Sequence, residues 1–145
     1  MKQGFDFIGN SVVYFCHDGK GNVVMAKRSQ NARDEKGRWD IGGGALELYE
    51  TVDQALRKEI KEEYNCEVIS YEFIGFREVH REIDGRKTHW ISLDFKVLVD
   101  VSDLKTNEPH KFDEVKLFPI SEMIREPEQV HSQLPEFLEK YKDRL

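Results

Sequence analysis

Between residues 50 and 64, apolar side chains recur at helical spacing. Val52, Ala55, Leu56, Ile60 and Tyr64 share one face, with polar residues around them. Thr51 suits the N-cap, and Asn65 tolerates the left-handed geometry that ends a helix. Elsewhere the pattern reads as strand. "FIGNSVVYFC" (7–16) is rich in β-branched and aromatic residues, "HDGKGN" (17–22) is a turn, and "VVMAKR" (23–28) closes a hairpin. Residues 29–38 form a polar loop, and 39–48 hold a short strand, three glycines and a second apolar pair. Two long strand-like runs, 66–82 and 87–100, flank the turn "IDGR". Residues 111–120 read as a loop entering a strand, 121–126 as a short helix, and 134–145 as an amphipathic helix with proline in its first turn. Strands, one long helix, more strands and a final helix predict an α+β fold, a mixed β-sheet between helices.

Composition narrows the setting. The chain has 145 residues, enough for one compact domain spanning 1–145, with no repeat or linker within it. No apolar run approaches the roughly 18 residues of a membrane helix. "MKQGFDFIG" lacks a signal peptide's apolar stretch. Cys16 and Cys66 sit in apolar, strand-like contexts and are expected to be reduced and buried, as in a cytoplasmic protein. The net charge of −6 and the lack of a dense basic block argue against nucleic acid as a partner. A small polyphosphate substrate would need help against that charge, most simply from bound metal. The sequence leaves the oligomeric state open, a homodimer included.

The end of the 50–64 helix is unusual. Glu59, Glu62 and Glu63 crowd three carboxylates into five residues. At about 100° per residue they span a sector of about 100° overlapping the apolar stripe. Two of them occupy the last turn, where the helix dipole disfavours negative charge. A solvated face is the plain reading, and Lys58 with Glu62 at i, i+4 supports it. A site for a hard divalent ion is the other reading, since such ions take oxygen ligands.

The preceding "GGGALELYE" (42–50) adds spacing to the cluster. Gly44, five residues, Glu50, seven residues, then Lys58-Glu59-Ile60-x-Glu62-Glu63-x-Asn65-Cys66 resembles the signature of the Nudix (MutT-like) hydrolase family. Gly44, Glu50, Glu59, Ile60, Glu62 and Glu63 match it as they stand. Lys58 replaces an arginine, Asn65 a closing glycine and Cys66 an aliphatic residue. "WDIGGG" resembles the family's lead-in with Gly42 in place of proline, and Tyr49 stands for a common glycine.

The resemblance implies an α/β/α sandwich and Mg²⁺-dependent hydrolysis of a pyrophosphate bond in a nucleoside diphosphate-linked compound, with Mn²⁺ as a substitute. It implies Glu59, Glu62, Glu63 and the Gly43 carbonyl as metal ligands, and Glu50 paired with Lys58 to hold the helix. Glu62 or Glu63 alternatively orients the attacking water. Gly42 and Gly44 line the substrate with Arg28, which is equally a solvated strand-end arginine. Family members often recruit a later acidic residue. The candidates are Glu108, Asp113 and Glu114, with Glu114 favoured, and an exposed loop glutamate is the plain alternative for each.

Trp39 and Trp90 read as core or as base-stacking residues. His80 and His89 flank the "IDGR" turn without a completing zinc ligand nearby. Around residues 80–84 there is no proline of the kind associated with ADP-ribose hydrolysis, so a nucleoside triphosphate or oxidised nucleotide is the expected substrate. The alternatives are a nucleotide-binding module without turnover and a hydrolase of ADP-ribose or another conjugate.

Overall fold

The computed structural model describes residues 1–145. Its strands are β1 (Gly9–His17), β2 (Asn22–Arg28), β3 (Trp39–Asp40), β4 (Gly43–Ala45), β5 (Glu67–Ile83), β6 (Arg86–Asp100) and β7 (Phe112–Pro119). Its helices are α1 (Val52–Tyr64) and α2 (Leu134–Lys140). The strands form one mixed sheet in the order β3-β2-β1-β6-β5, with β4 paired to β1 and β7 to β2. β1 and β6 run parallel and the other pairs antiparallel.

Both faces of the central strand are covered, which explains why β1 reads as a nearly continuous apolar run. Val12, Tyr14 and Cys16 point to one side and pack under Ala55, Leu56, Ile60 and Tyr64 of α1. Phe15 points to the other, where it meets Val23, Met25 and Ile41 beside Leu134 and Phe137 of α2. The result is helix, sheet, helix, with two apolar layers between.

Local chemistry sets the element ends. Thr51 and Gln54 form a reciprocal capping box at the start of α1. Asn65 closes the helix at φ 56° and ψ 37°, the left-handed conformation its residue type tolerates. Asp84 and Gly85 turn the long β5–β6 hairpin, both with positive φ, as a two-residue type I′ turn requires.

Three expected elements come out differently. Residues 121–126 are not a helix; only a single 3₁₀ turn forms, at Ile120–Glu122. The segment is too short to offset helix nucleation, and Pro127 disfavours helical geometry at Glu126. The last helix stops at Lys140, and residues 141–144 form turns. β1 begins at Gly9, because Phe7 bridges back to Gln3 instead. Cys16 and Cys66 are buried free thiols. No helix is long and apolar enough to cross a membrane.

Candidate active site

The glycine strand and the acidic helix meet over β1. β4 ladders onto β1 with Val12 opposite Gly44 and Val13 opposite Gly43. Glu59 lies directly on Gly44: a Cβ there would stand 2.5 Å from the Glu59 Cδ. At Gly42, φ is 102° and a Cβ would collide with the rings of Tyr14 and Tyr64. Gly44 therefore lets the Glu59 carboxylate settle against backbone, and Gly42 makes room for the two tyrosine rings.

Beyond them opens a cavity of about 630 Å³, lined on this side by Gly42, Gly43, Gly44, Glu59 and Glu63. Glu63 is 1% exposed, so it is an interior carboxylate rather than part of a solvated face. It accepts hydrogen bonds from the Tyr14 hydroxyl and from Lys111 Nζ, the latter at 2.7 Å. Burial pushes its pKa up to about 7, although Lys111 and Tyr14 pull the other way. Burial also raises Glu59, helped by the nearby charge of Glu62. For Lys111 burial opposes the charge, but Glu63 beside it prevails and its pKa is raised.

Lys58 Nζ lies 2.6 Å from Glu50 Oε2 and 3.7 Å from Glu59 Oε1. The Lys58 hydrogen bond holds the Glu50 carboxyl below its ordinary value. Glu50 also accepts the Glu47 amide, tying the loop before α1 to the helix.

The candidate residues divide clearly. Glu59, Glu63, Gly42, Gly43, Gly44 and Arg28 line the cavity. Glu62 is exposed and is not part of the lining. Arg28 is already engaged, donating to the Asp34 carboxylate at 2.8 Å and to the Asp34 carbonyl. Glu114 does not reach the cavity: it is an exposed residue of β7, opposite Lys27 of β2. Asp113 is exposed too, and Glu108 stays in the loop, its carbonyl accepting the Lys111 and Phe112 amides. The residue this loop sends into the cavity is a cation, Lys111. Sequence reasoning missed it because the search there was for carboxylates.

Trp90 lines the cavity and packs on Gly4 and Gly9. Trp39 instead packs edge-on against Phe118 at 5.4 Å. His80 and His89 do face each other across the β5–β6 hairpin, with ring centroids 4.3 Å apart.

The fit to a divalent cation rests on the donor set. Glu59 and Glu63 are hard oxygen donors beside a side-chain-free backbone, which suits Mg²⁺ or Mn²⁺ better than a soft metal. No three acidic, histidine or cysteine side chains converge tightly enough to hold an ion by themselves. Mg²⁺ accommodates this, because it is commonly bound through one or two carboxylates with water and phosphate completing the shell.

The raised Glu63 pKa gives a pH prediction for the metal-free protein. The folded value is about 7 against an ordinary 4.5, so between them the native state holds a proton the unfolded chain has lost. This group's contribution to stability therefore falls as pH rises through that window. Thermal melts in chelator from about pH 5 to about pH 8 should show a decline that Glu63→Gln flattens. An identical profile in the variant would contradict it.

The architecture is shared with solved structures named as MutT proteins. One from Methanosarcina mazei Go1 superposes with a TM-score of 0.72 at 20% identity, covering 94% of each chain. A MutT NUDIX hydrolase from Burkholderia pseudomallei gives 0.71 at 17% identity, covering 83% of this chain and 89% of that one. At these identities the likeness concerns the fold. The NUDIX domain profile matches residues 8–141, and the chain belongs to the Nudix family. A curated relative, CTP pyrophosphohydrolase of Escherichia coli (strain K12), is 33% identical over 69 residues. That match spans 48% of this chain and 49%, about half, of the relative.

Proposed function

We propose that the protein is a divalent-metal-dependent pyrophosphohydrolase acting on a nucleoside triphosphate, oxidised nucleotides included. The observation that carries the reading is the pair Glu59 and Glu63, presented by one helix face to a cavity alongside the glycine backbone of residues 42–44. Burial disfavours the charge of Glu63, which the Lys111 ammonium offsets as the chain stands and which a divalent ion would offset more strongly. The CTP pyrophosphohydrolase relative favours a pyrimidine nucleoside triphosphate among the candidates. A cytoplasmic setting fits this small-molecule chemistry.

Glu59 and Glu63 would hold the ion, with Glu62 on the exposed flank and the Gly43 carbonyl as further donors. The chemistry a divalent ion would supply there is charge neutralisation of the pyrophosphate and polarisation of its phosphoryl oxygens. The chain's own residues prepare that encounter. Lys58 and Glu50 fix the first carboxylate turn of α1 against the loop before it. Gly43 and Gly44 let the phosphates approach backbone. Arg28, held by Asp34, keeps positive charge in the cavity lining.

The test is incubation with Mg²⁺ and a panel of nucleoside triphosphates, oxidised dGTP, ADP-ribose, dinucleoside polyphosphates and nucleotide sugars, with products separated by chromatography. The expected result is a nucleoside monophosphate plus pyrophosphate from a triphosphate. Preferential cleavage of ADP-ribose or another conjugate would reassign the substrate. Tight binding with no turnover of any compound would make the protein a sensing module.

A further inference from the structure

We propose that Lys111 is a phosphate-binding residue of this cavity, stored on Glu63 until metal arrives; the role rests on the pyrophosphohydrolase reading. Its backbone is fixed on both sides. The Ser29 amide donates to the Lys111 carbonyl at 2.9 Å, the Lys111 amide donates to the Glu108 carbonyl at 2.9 Å, and the next side chain, Phe112, is buried in the core. The tip is not fixed in that way. The ammonium is tethered by one charge partner, Glu63, and the side chain remains 32% exposed to the cavity.

Lys2 and Arg33 line the cavity without an ion pair and Arg86 is paired with Asp6; the other nearby cations are held by carboxylates of their own. Arg28 is held by Asp34, Arg77 by Asp94, Arg81 by Asp34 and Glu35, and Lys58 by Glu50. Among them only Lys58 also comes near the acidic face of α1, at 3.7 Å from Glu59 Oε1. Lys111 differs because its one ion pair is with Glu63, a carboxylate that a divalent ion would claim, whereas Lys58 keeps Glu50 when Glu59 is taken. When an ion takes Glu63, a divalent charge replaces the ammonium's attraction with repulsion. The tip is then free to turn from Glu63 to a phosphoryl oxygen of the substrate, with the more distant Glu108 as the competing anion. A lysine suits this exchange because its compact charge rides on a flexible stem, whereas a planar guanidinium is committed to one geometry. In the metal-free chain the same ammonium offsets the charge of the buried carboxylate, which explains how Glu63 is accommodated there.

Inorganic pyrophosphate is the probe, since it carries the phosphate chemistry without a base or sugar. Its affinity would be measured by calorimetry in Mg²⁺ for the wild type, Lys111→Met, Lys111→Gln and Lys111→Arg. Mn²⁺ binding to the same proteins would be followed by the spin resonance of the free ion. Lys111→Met or Lys111→Gln is expected to weaken pyrophosphate about ten- to hundredfold, the range for losing a hydrogen bond to a charged group. Lys111→Arg should recover part of that loss, and Mn²⁺ should bind every variant at least as tightly as the wild type. The glutamine variant serves if the methionine variant does not fold. Unchanged pyrophosphate affinity in a folded variant overturns the proposal while leaving the hydrolase reading intact. Loss of Mn²⁺ binding in the variants also overturns it, because Lys111 would then be ordering the metal ligands. A wild type that binds neither probe removes both readings together.

Discussion

Glu63→Gln is expected to lower turnover about 10²-fold or more, with the protein still folded. The size follows from the charge removed. A metal's stabilisation of a phosphoryl transition state is worth several kcal/mol, and each 1.36 kcal/mol is about tenfold in rate. The folded state should survive because glutamine keeps the shape of the side chain. Its amide oxygen can still accept from Lys111 Nζ or the Tyr14 hydroxyl, the two donors that Glu63 now satisfies. Removing a charge that burial already disfavours should leave the melting temperature near or above that of the wild type in chelator. Turnover would be read by phosphate chromatography and folding by circular dichroism. A folded Glu63→Gln protein with an unaltered rate would falsify the placement of chemistry at this cluster.

Glu63 was legible in the sequence because periodicity and spacing are local properties. Its place on the inward face follows from Val52, Ala55, Leu56 and Ile60 at helical intervals, and the glycines lie a fixed distance upstream. The capping box and the left-handed Asn65 were readable for the same reason. What failed to read was whatever depends on the third dimension. Glu62 and Glu63 are neighbours of identical type, yet one is exposed and the other buried, and only the packing of α1 on β1 separates them. The choice of Glu114 failed on strand phase. Residues 112 and 114 would share a face in a regular strand, but the β2–β7 ladder is irregular there, with Asp113 unpaired between Phe112 opposite Arg28 and Glu114 opposite Lys27, and it leaves Phe112 in the core and Glu114 out. Lys111, one residue before β7, carried no signal, since a single loop lysine is ordinarily solvated. The short 121–126 helix failed because apolar spacing over so few residues cannot offset nucleation.

The largest stability effect is expected at a pair that no sequence pattern marks. Arg77 and Asp94 lie 17 positions apart on adjacent strands, where charged residues would ordinarily be taken as solvent-facing. The β5–β6 ladder, shifted by an irregularity between Phe73 and Gly75, puts Arg77 opposite Ser92 and Asp94 opposite Gly75. Both side chains then end up beneath α2. Arg77 donates to Asp94 from two nitrogens, at 2.7 and 3.0 Å, and to Ser92 Oγ at 3.2 Å. The guanidinium also lies 5.2 Å from the centre of the Phe137 ring. Asp94, wholly buried, further accepts the hydroxyls of Ser92 and Tyr141. Every buried side-chain polar atom is partnered, so the network is complete as it stands. Arg77→Met breaks it from one side and leaves a carboxylate in the interior without its cation. The expected cost is about 3–5 kcal/mol, and a fall in melting temperature of about 10 °C or more. Arg77→Met/Asp94→Leu, which removes both charges, should regain part of that loss, because a buried ion pair gives little net stability over apolar packing of similar volume. Urea denaturation of the three proteins decides the matter. If Arg77→Met unfolds within about 1 kcal/mol of the wild type, water must reach Asp94 and the pair is not the dry contact its geometry describes.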